Sequence, residues 1–394
     1  MREGWEYKKL GEILIFDKRF NGISKEEQPK IAHFCHVSAE VLKSLRTEKG
    51  EVKLLSTGLF SASTTIDLAG NYINEGEVVT IPTGGVANIK YYKGKFVDSG
   101  NILGVSSGPQ IVLKFVFYGM IAYKELINSY FRGVSIKHPY MPDIYNIPIP
   151  LPPFTEQQRI VEELDLLSSI IEKKKAQLKE LDSLAQSIFY DMFGDPVTNE
   201  KGWEVKKLEI IIKVIGGYAF KSTNFKEKGI PVLRIGNINS GEFKNSSMVF
   251  WERDDKLHKY LMHPGDLVMS LTGTVGKSDY GNICILDNSY KEYYLNQRNA
   301  QLKLKENVDK YYLSSILRFD IVKSKLTDVS RGVRQANISN KDIENLQIPL
   351  PPLPLQQQFA EKVEAIEHQK ELIKQSIKEV ETLFNSRMDY YFDG

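Results

Sequence analysis

The residues whose type and spacing bear on chemistry fall in a few short stretches. Thr272-Gly273-Thr274-Val275-Gly276-Lys277-Ser278 follows a predicted strand and makes a tight, donor-rich loop. Backbone N–H groups in such a loop can meet a phosphate, with Thr274 and Lys277 adding side-chain donors. The stretch resembles a nucleotide-binding P-loop, but that loop needs a glycine five residues before Gly276, where the chain has Leu271, so ATP binding is not expected. Transfer of a methyl group to an adenine would need a Gly-rich cofactor loop and an Asn/Asp-Pro-Pro-aromatic motif, and the Pro-Pro pairs here follow Leu151 and Leu350 instead. Glu172-Lys173-Lys174 has a nuclease-like spelling but falls in a helical stretch. His33-Phe34-Cys35-His36 packs three ligand types into four positions without a second cluster. That is a poor tetrahedral site, and packing or surface is the expected role.

What remains is recognition chemistry. Ser330-Arg331-Gly332-Val333-Arg334-Gln335-Ala336-Asn337 concentrates Arg, Gln and Asn, the residues that make bidentate contacts with guanine and adenine edges. Earlier in the chain Thr83-Gly84-Gly85-Val86-Ala87-Asn88 and Arg132-Gly133-Val134-Ser135-Ile136-Lys137 are the matching loops. The candidate DNA-contacting residues are therefore Asn88, Lys90, Arg132 and Lys137 in the first half, and Lys221, Thr274, Lys277, Arg298, Arg331, Arg334 and Gln335 in the second. The alternative for each is solvated turn chemistry.

The elements that must position these loops are duplicated. Gly4-Trp5-Glu6 recurs as Gly202-Trp203-Glu204, Arg132-Gly133-Val134 as Arg331-Gly332-Val333, and Ile149-Pro150-Leu151-Pro152-Pro153 as Ile348-Pro349-Leu350-Pro351-Pro352. Gln157-Gln158 returns as Gln356-Gln357. Four matches in order mean two copies of one frame. Inside the frame the register drifts: Gly76-Glu77-Val78-Val79 best matches Gly265-Asp266-Leu267-Val268. Each block mixes short β-branched and aromatic runs, such as 230–235 and 266–271, with Gly-rich turns and a predicted helix over 310–326, which reads as α+β.

Behind each Pro-Pro the spacing predicts a long helix. Thr155 is a plausible N-cap with Gln158 three residues on, and Gly194 and Pro196 end the pattern. Ile160, Leu164, Leu167, Ile171, Lys174, Leu178, Leu181, Ala185, Ile188 and Met192 alternate four and three apart, a heptad seam. Phe359, Val363, Ile366, Lys370, Ile373, Ile377, Val380, Phe384, Arg387 and Tyr391 repeat it. Antiparallel pairing would set Leu164, Leu167, Ile171, Leu178 and Leu181 against Val363, Ile366, Ile373, Ile377 and Val380. The two blocks would then lie at opposite ends of a rod, related by an approximate two-fold axis, and would read two separated half-sites.

Composition agrees with this organisation. The chain has 394 residues, 42% of them apolar, enough for two cored domains. Net charge is only +2, but it is distributed: 1–154 and 195–353 are mildly basic, 155–194 and 354–394 mildly acidic. A basic face is the sequence-independent part of nucleic-acid binding. Cys35 and Cys284 stand far apart, so no disulfide framework is implied and a reducing cytoplasm fits. The first residues lack the apolar run of a signal peptide, and no apolar run is long enough to span a bilayer. A cytoplasmic protein that does not engage a membrane is expected.

Two copies of Ile-Pro-Leu-Pro-Pro leading into Gln-Gln and a heptad helix, each behind a variable block opening with Gly-Trp-Glu, resemble the DNA-specificity subunit of type I restriction–modification systems. The resemblance implies a fold of two pseudo-symmetric α+β target-recognition domains, at 1–153 and 195–352. These are joined by spacer helices at 154–194 and 353–394 that form an antiparallel coiled coil. It implies a non-catalytic protein that reads a split site on double-stranded DNA, scaffolds two methyltransferase subunits and is joined by motor-nuclease subunits. S-adenosylmethionine, ATP and Mg would belong to those partners, and no cofactor or metal to this chain. Base-reading residues vary within the family, so none carries over by position. The rival readings are a two-headed protein-binding adaptor with a coiled-coil spacer, and the recognition part of a single-chain restriction–methylation enzyme.

Overall fold

A computed structural model describes residues 4–58, 61–238, 241–277, 279–327 and 335–392. The chain folds into two compact units. One comprises Met1–Lys175 with Gln375–Gly394, the other Ala176–Lys374. Each unit thus holds one α+β block, the start of the helix that follows it and the end of the other long helix.

The repeated motifs close each block. In the first unit the strand Glu6–Lys9, after Gly4-Trp5, pairs antiparallel with Pro148–Leu151, Tyr7 opposite Pro150. In the second, Val205–Lys207 pairs with Gln347–Pro349. Proline is tolerated in these two-stranded ribbons because both strands are edges. The first block then builds a six-stranded sheet in the order Leu14–Phe16, Asn101–Ser106, Asn74–Pro82, Lys90–Asp98, Val52–Leu55, Ser61–Thr64. Only Val52–Leu55 runs parallel to its neighbour Lys90–Asp98. The second block divides the same plan between two four-stranded sheets. One runs Ile212–Gly216, Asn299–Leu304, Leu267–Ser270, Ile283–Ile285, and the other Val249–Trp251, Ile230–Leu233, Tyr293–Leu295, Leu261–Met262. Ile230–Leu233 and Tyr293–Leu295 keep the parallel pairing.

The helix predicted over 310–326 is two helices, Lys310–Arg318 and Asp320–Thr327, broken at Phe319, whose backbone is extended. Tyr312, Ile316, Phe319 and Val322 still point into one core. The break lets the second helix follow that core round.

Both spacers are single helices, Phe154–Phe193 and Leu353–Phe392. The first begins one residue before the predicted Thr155 cap, and the side chain that organises its start is Gln157, not Gln158. Gln157 accepts from the Val112 N–H at 2.8 Å and donates to the carbonyls of Gln110 and Pro152 at 3.1 and 2.9 Å. Gln356 repeats this with the Asp309 N–H and the Asn307 and Pro351 carbonyls. Each amide is buried and satisfied on both sides, which locks the helix start to its block.

The helices meet antiparallel in each unit. In the first, Arg387 pairs with Glu163 and Lys175 reaches Glu381 at 3.3 Å. In the second, Lys370 pairs with Asp182 at 2.7 Å. This register differs from the expected facing. The ion pairs set Glu163 beside Arg387 and Asp182 beside Lys370, and Val363 joins the core around Phe189. The offset follows from where the helix ends are buried. Phe384, Met388, Tyr391 and Phe392 enter the first core beside Ile160 and Leu164. Phe189 and Phe193 enter the second beside Phe359 and Val363. Phe189 stacks on Tyr312 and meets Phe319 and Phe359 with ring centroids 5.7, 4.8 and 5.6 Å away. Lys370, in the seam and only 4% exposed, is held by Asp182 and Glu367. Burial alone would lower its ammonium, yet these two partners hold it above its ordinary value. No helix among the described residues is long and apolar enough to cross a membrane.

Candidate nucleic-acid interface

In the first unit the sheet delivers the chain to a cluster of loops. Strand Asn74–Pro82 ends at Thr83, whose N–H and hydroxyl both donate to the Gly100 carbonyl, at 2.9 and 2.8 Å. The loop that follows is tied to the hairpin formed by Phe131–Arg132 and His138–Pro139. The Gly85 N–H donates to the Lys137 carbonyl at 2.8 Å, and His138 Nδ1 bonds the Thr83 carbonyl at 2.6 Å. The structure thus brings together the two stretches singled out in the first half.

The individual candidates differ in what they are free to do. Asn88 donates to the Thr57 carbonyl at 3.1 Å, and the half-buried Lys90 ammonium bonds the Ser56 carbonyl. Burial lowers the Lys90 pKa. These two spend donors on holding neighbouring backbone, a positioning task rather than that of open readers. Arg132 lies over the Tyr140 ring at 3.8 Å and pairs with Asp143 at 2.6 Å, although its side chain stays largely exposed. Lys137 is exposed on the hairpin turn.

Sequence reasoning missed the brace beneath these loops. Asp17 and Asp98, buried side chains from distant strand ends, are bridged by His36, with Nε2 2.8 Å from Asp17 and Nδ1 2.9 Å from Asp98. Hydrogen bonds to Asp17 and then Asp98 outweigh desolvation and raise the imidazole pKa to about 10, so it is a cation at neutral pH. His36 is therefore neither packing nor idle surface: it sets one positive charge between two buried carboxylates, which unpaired would be expensive. Asp98 also accepts from the Asn101 amide at 2.7 Å, fixing the 98–101 turn that holds Thr83. Asn101 has a counterpart in Asn299, whose buried amide donates to the Leu233 carbonyl at 2.6 Å. The repeat spacing was the signal that could have found both.

The second unit brings its candidates together in the same way. Strand Thr272–Thr274 pairs with Gln335–Asn337, Thr274 opposite Gln335. The Leu271 N–H donates to the Arg298 carbonyl and the Leu271 carbonyl accepts from the Ile338 N–H, both at 2.9 Å. The exposed Arg298 turn thus lies beside this ribbon, and Lys221 is exposed after Phe220. Phosphate cradling by the 272–277 loop is not supported. The Thr274 N–H and hydroxyl are both taken by the Asp279 carboxylate, at 2.9 and 3.0 Å, and the Lys277 N–H by the Thr274 carbonyl. Those bonds, the Thr274 backbone first, hold Asp279 below its ordinary pKa. An anion is already built in, and what faces solvent is Val275, Gly276 and Lys277. Arg331 and Arg334 lie outside the described residues, and of Gln335 only the backbone is described. Among the described residues no group of three His, Cys, Asp or Glu side chains could hold a metal ion.

Comparison with known proteins adds three findings. Residues 2–182 and 200–382 each match the profile of the type I restriction modification DNA specificity domain. The chain is 24% identical to the type I restriction enzyme MjaVIII specificity subunit of Methanocaldococcus jannaschii, over all of this chain and 93% of that one. It is 25% identical to the EcoKI specificity subunit of Escherichia coli, over 64% of this chain and 59% of that one. Among solved structures, the S subunit of a type I restriction–modification system from M. genitalium superposes with a TM-score of 0.61 at 15% identity, over 98% of this chain and 96% of that one, a likeness of fold.

Proposed function

The chain belongs to the type I restriction modification DNA specificity family, and from that premise we propose that it reads a bipartite site on double-stranded DNA, one half-site per block. The observation that carries this reading is the repeated loop cluster. In each unit the end of an equivalent strand is hydrogen-bonded to a second loop or strand, at Gly85–Lys137 in one and at Thr272–Thr274 with Gln335–Asn337 in the other. Lys137 stands exposed at the first cluster and Lys277 and Arg298 at the second. Such groups supply phosphate contacts that set register on the duplex, while neighbouring polar side chains meet base edges.

In this reading the chain is a non-catalytic, cytoplasmic scaffold. Two methyltransferase subunits dock on it and motor-nuclease subunits join them. S-adenosylmethionine, ATP and Mg are bound by those partners. The two long helices are the spacer that sets the gap between half-sites. The test is salt-dependent binding of duplex DNA by the purified chain, alone and with its methyltransferase partner, followed by sequencing of methylated sites. Specific binding with a steep salt slope and a split methylation motif are the expected results. Absence of DNA binding in both states would favour the protein-binding adaptor.

A further inference from the structure

The first loop cluster carries an apolar tip. Val134 is fully exposed, Val86 65% and Ile136 61% exposed. The three side chains stand on the two loops joined by the Gly85–Lys137 hydrogen bond, and Ile136 lies against Gly84. Gly133 creates the arrangement. Its φ is +141°, and a Cβ there would lie 2.3 Å from the Ile136 carbonyl oxygen. Only glycine lets the turn close this tightly, and closure is what puts Val134 and Ile136 on the outside.

In the second half one residue of such a tip is described. Val275 occupies the equivalent place to Val86 and is 43% exposed. Scattered exposed apolar residues are ordinary. Three branched apolar side chains gathered on one glycine-shaped tip, with a valine again exposed at the equivalent position of the second unit, indicate a surface that something covers. The flanking charges select the partner. The exposed Lys137 shares the hairpin with Val134 and Ile136, and the exposed Lys277 follows Val275, so the covering molecule is a polyanion with apolar points. Duplex DNA offers one such point in its major groove, the thymine 5-methyl group.

We propose that Val86, Val134 and Ile136 in the first unit, and Val275 in the second, pack against thymine methyl groups and so help determine the half-site sequences. The proposal rests on the DNA-reading function above and names the chemistry these tips recognise. The probe is a duplex carrying the methylated motif, with thymine replaced by deoxyuridine in one half-site at a time, bound by the full chain with its methyltransferase partner at fixed salt. Removing one contacted methyl should weaken binding about fourfold. Val134→Ser with Ile136→Ser should abolish thymine–uracil discrimination in one half-site, and Val275→Ser in the other, and neither should affect folding because the residues are exposed. Specific binding indifferent to deoxyuridine in both half-sites would overturn the proposal. So would serine variants that keep full discrimination, or a methylated motif without an A·T pair in either half-site. Failure to bind the unmodified duplex would instead overturn the DNA-reading function itself.

Discussion

Phe392, the last residue of the second long helix, should control the stability of the first α+β block. Its ring is fully buried and lies 5.1 Å from that of Phe115, and its carbonyl accepts from the Tyr123 hydroxyl at 2.7 Å. Gly119 leaves room for it: a Cβ at that position would come within 3.2 Å of the ring. Phe392→Ala removes a fully buried ring from a packed core, so the loss should be about 3–5 kcal/mol. For a unit of this size each kcal/mol moves Tm by about 2–4 °C, so the first unit should melt roughly 6–20 °C lower. Native-state hydrogen exchange read by peptide assigns the loss. Strands Asn74–Pro82 and Asn101–Ser106 should lose protection while Asn299–Leu304 keeps it. Phe189→Ala, on the first long helix, is the mirror experiment and should expose Asn299–Leu304 instead. Unchanged protection of the first unit in Phe392→Ala, or equal loss in both units, would refute the assignment of helix ends to cores.

Three further outcomes follow from particular contacts. The His36 pKa is raised to about 10, so the stabilisation from its contacts with Asp17 and Asp98 should be complete below pH ~6.5 and lost as pH climbs through about 10. His36→Gln should flatten that alkaline decline in pH-dependent unfolding and cost ~1–3 kcal/mol near neutrality, discounted because the imidazole is partly solvated. Lys277→Ala and Lys221→Ala should weaken binding to every DNA sequence alike and reduce the salt slope, measured by anisotropy titration at several salt concentrations, whereas a sequence-selective loss would make either lysine a base reader. Inserting four residues at Ala176 and four at Gln375 should lengthen the gap in the methylated motif by one or two base pairs, since four helical residues add about 6 Å against about 3.4 Å per base pair; an active variant with the original gap would show that the helices are not the ruler.

Much of the architecture was legible in the sequence because its signals are local or repeated. Heptad spacing marked both long helices; of the facing residues it predicted, Leu164, Leu167, Ile171, Val363, Ile366 and Ile377 are buried, and Leu178, Leu181, Ile373 and Val380 are half-buried. The recurring Gly-Trp-Glu and Ile-Pro-Leu-Pro-Pro motifs marked the block edges, and they proved to be strands that pair with each other. The repeat marked 83–88 and 132–137 as the counterparts of 272–278 and 330–337, but only the structure shows Gly85 bonded to Lys137 and Thr272–Thr274 paired with Gln335–Asn337. The capping role of Gln157 was misassigned to Gln158 because the choice depends on the backbone of Gln110 and Val112, a loop that no local pattern connects to the helix.

What the sequence alone determined was a duplicated α+β frame, two long helices and the loops that correspond between the two halves. Only the tertiary structure decided which helix end completes which core, that His36 is a cation clamped between Asp17 and Asp98, and that Asp279 already occupies the loop expected to receive a phosphate. Periodicity and repetition report residues that are neighbours along the chain or copies at a fixed spacing. Burial, charge pairing and hydrogen-bond satisfaction depend on distances between residues far apart in sequence, and these are set only when the chain packs.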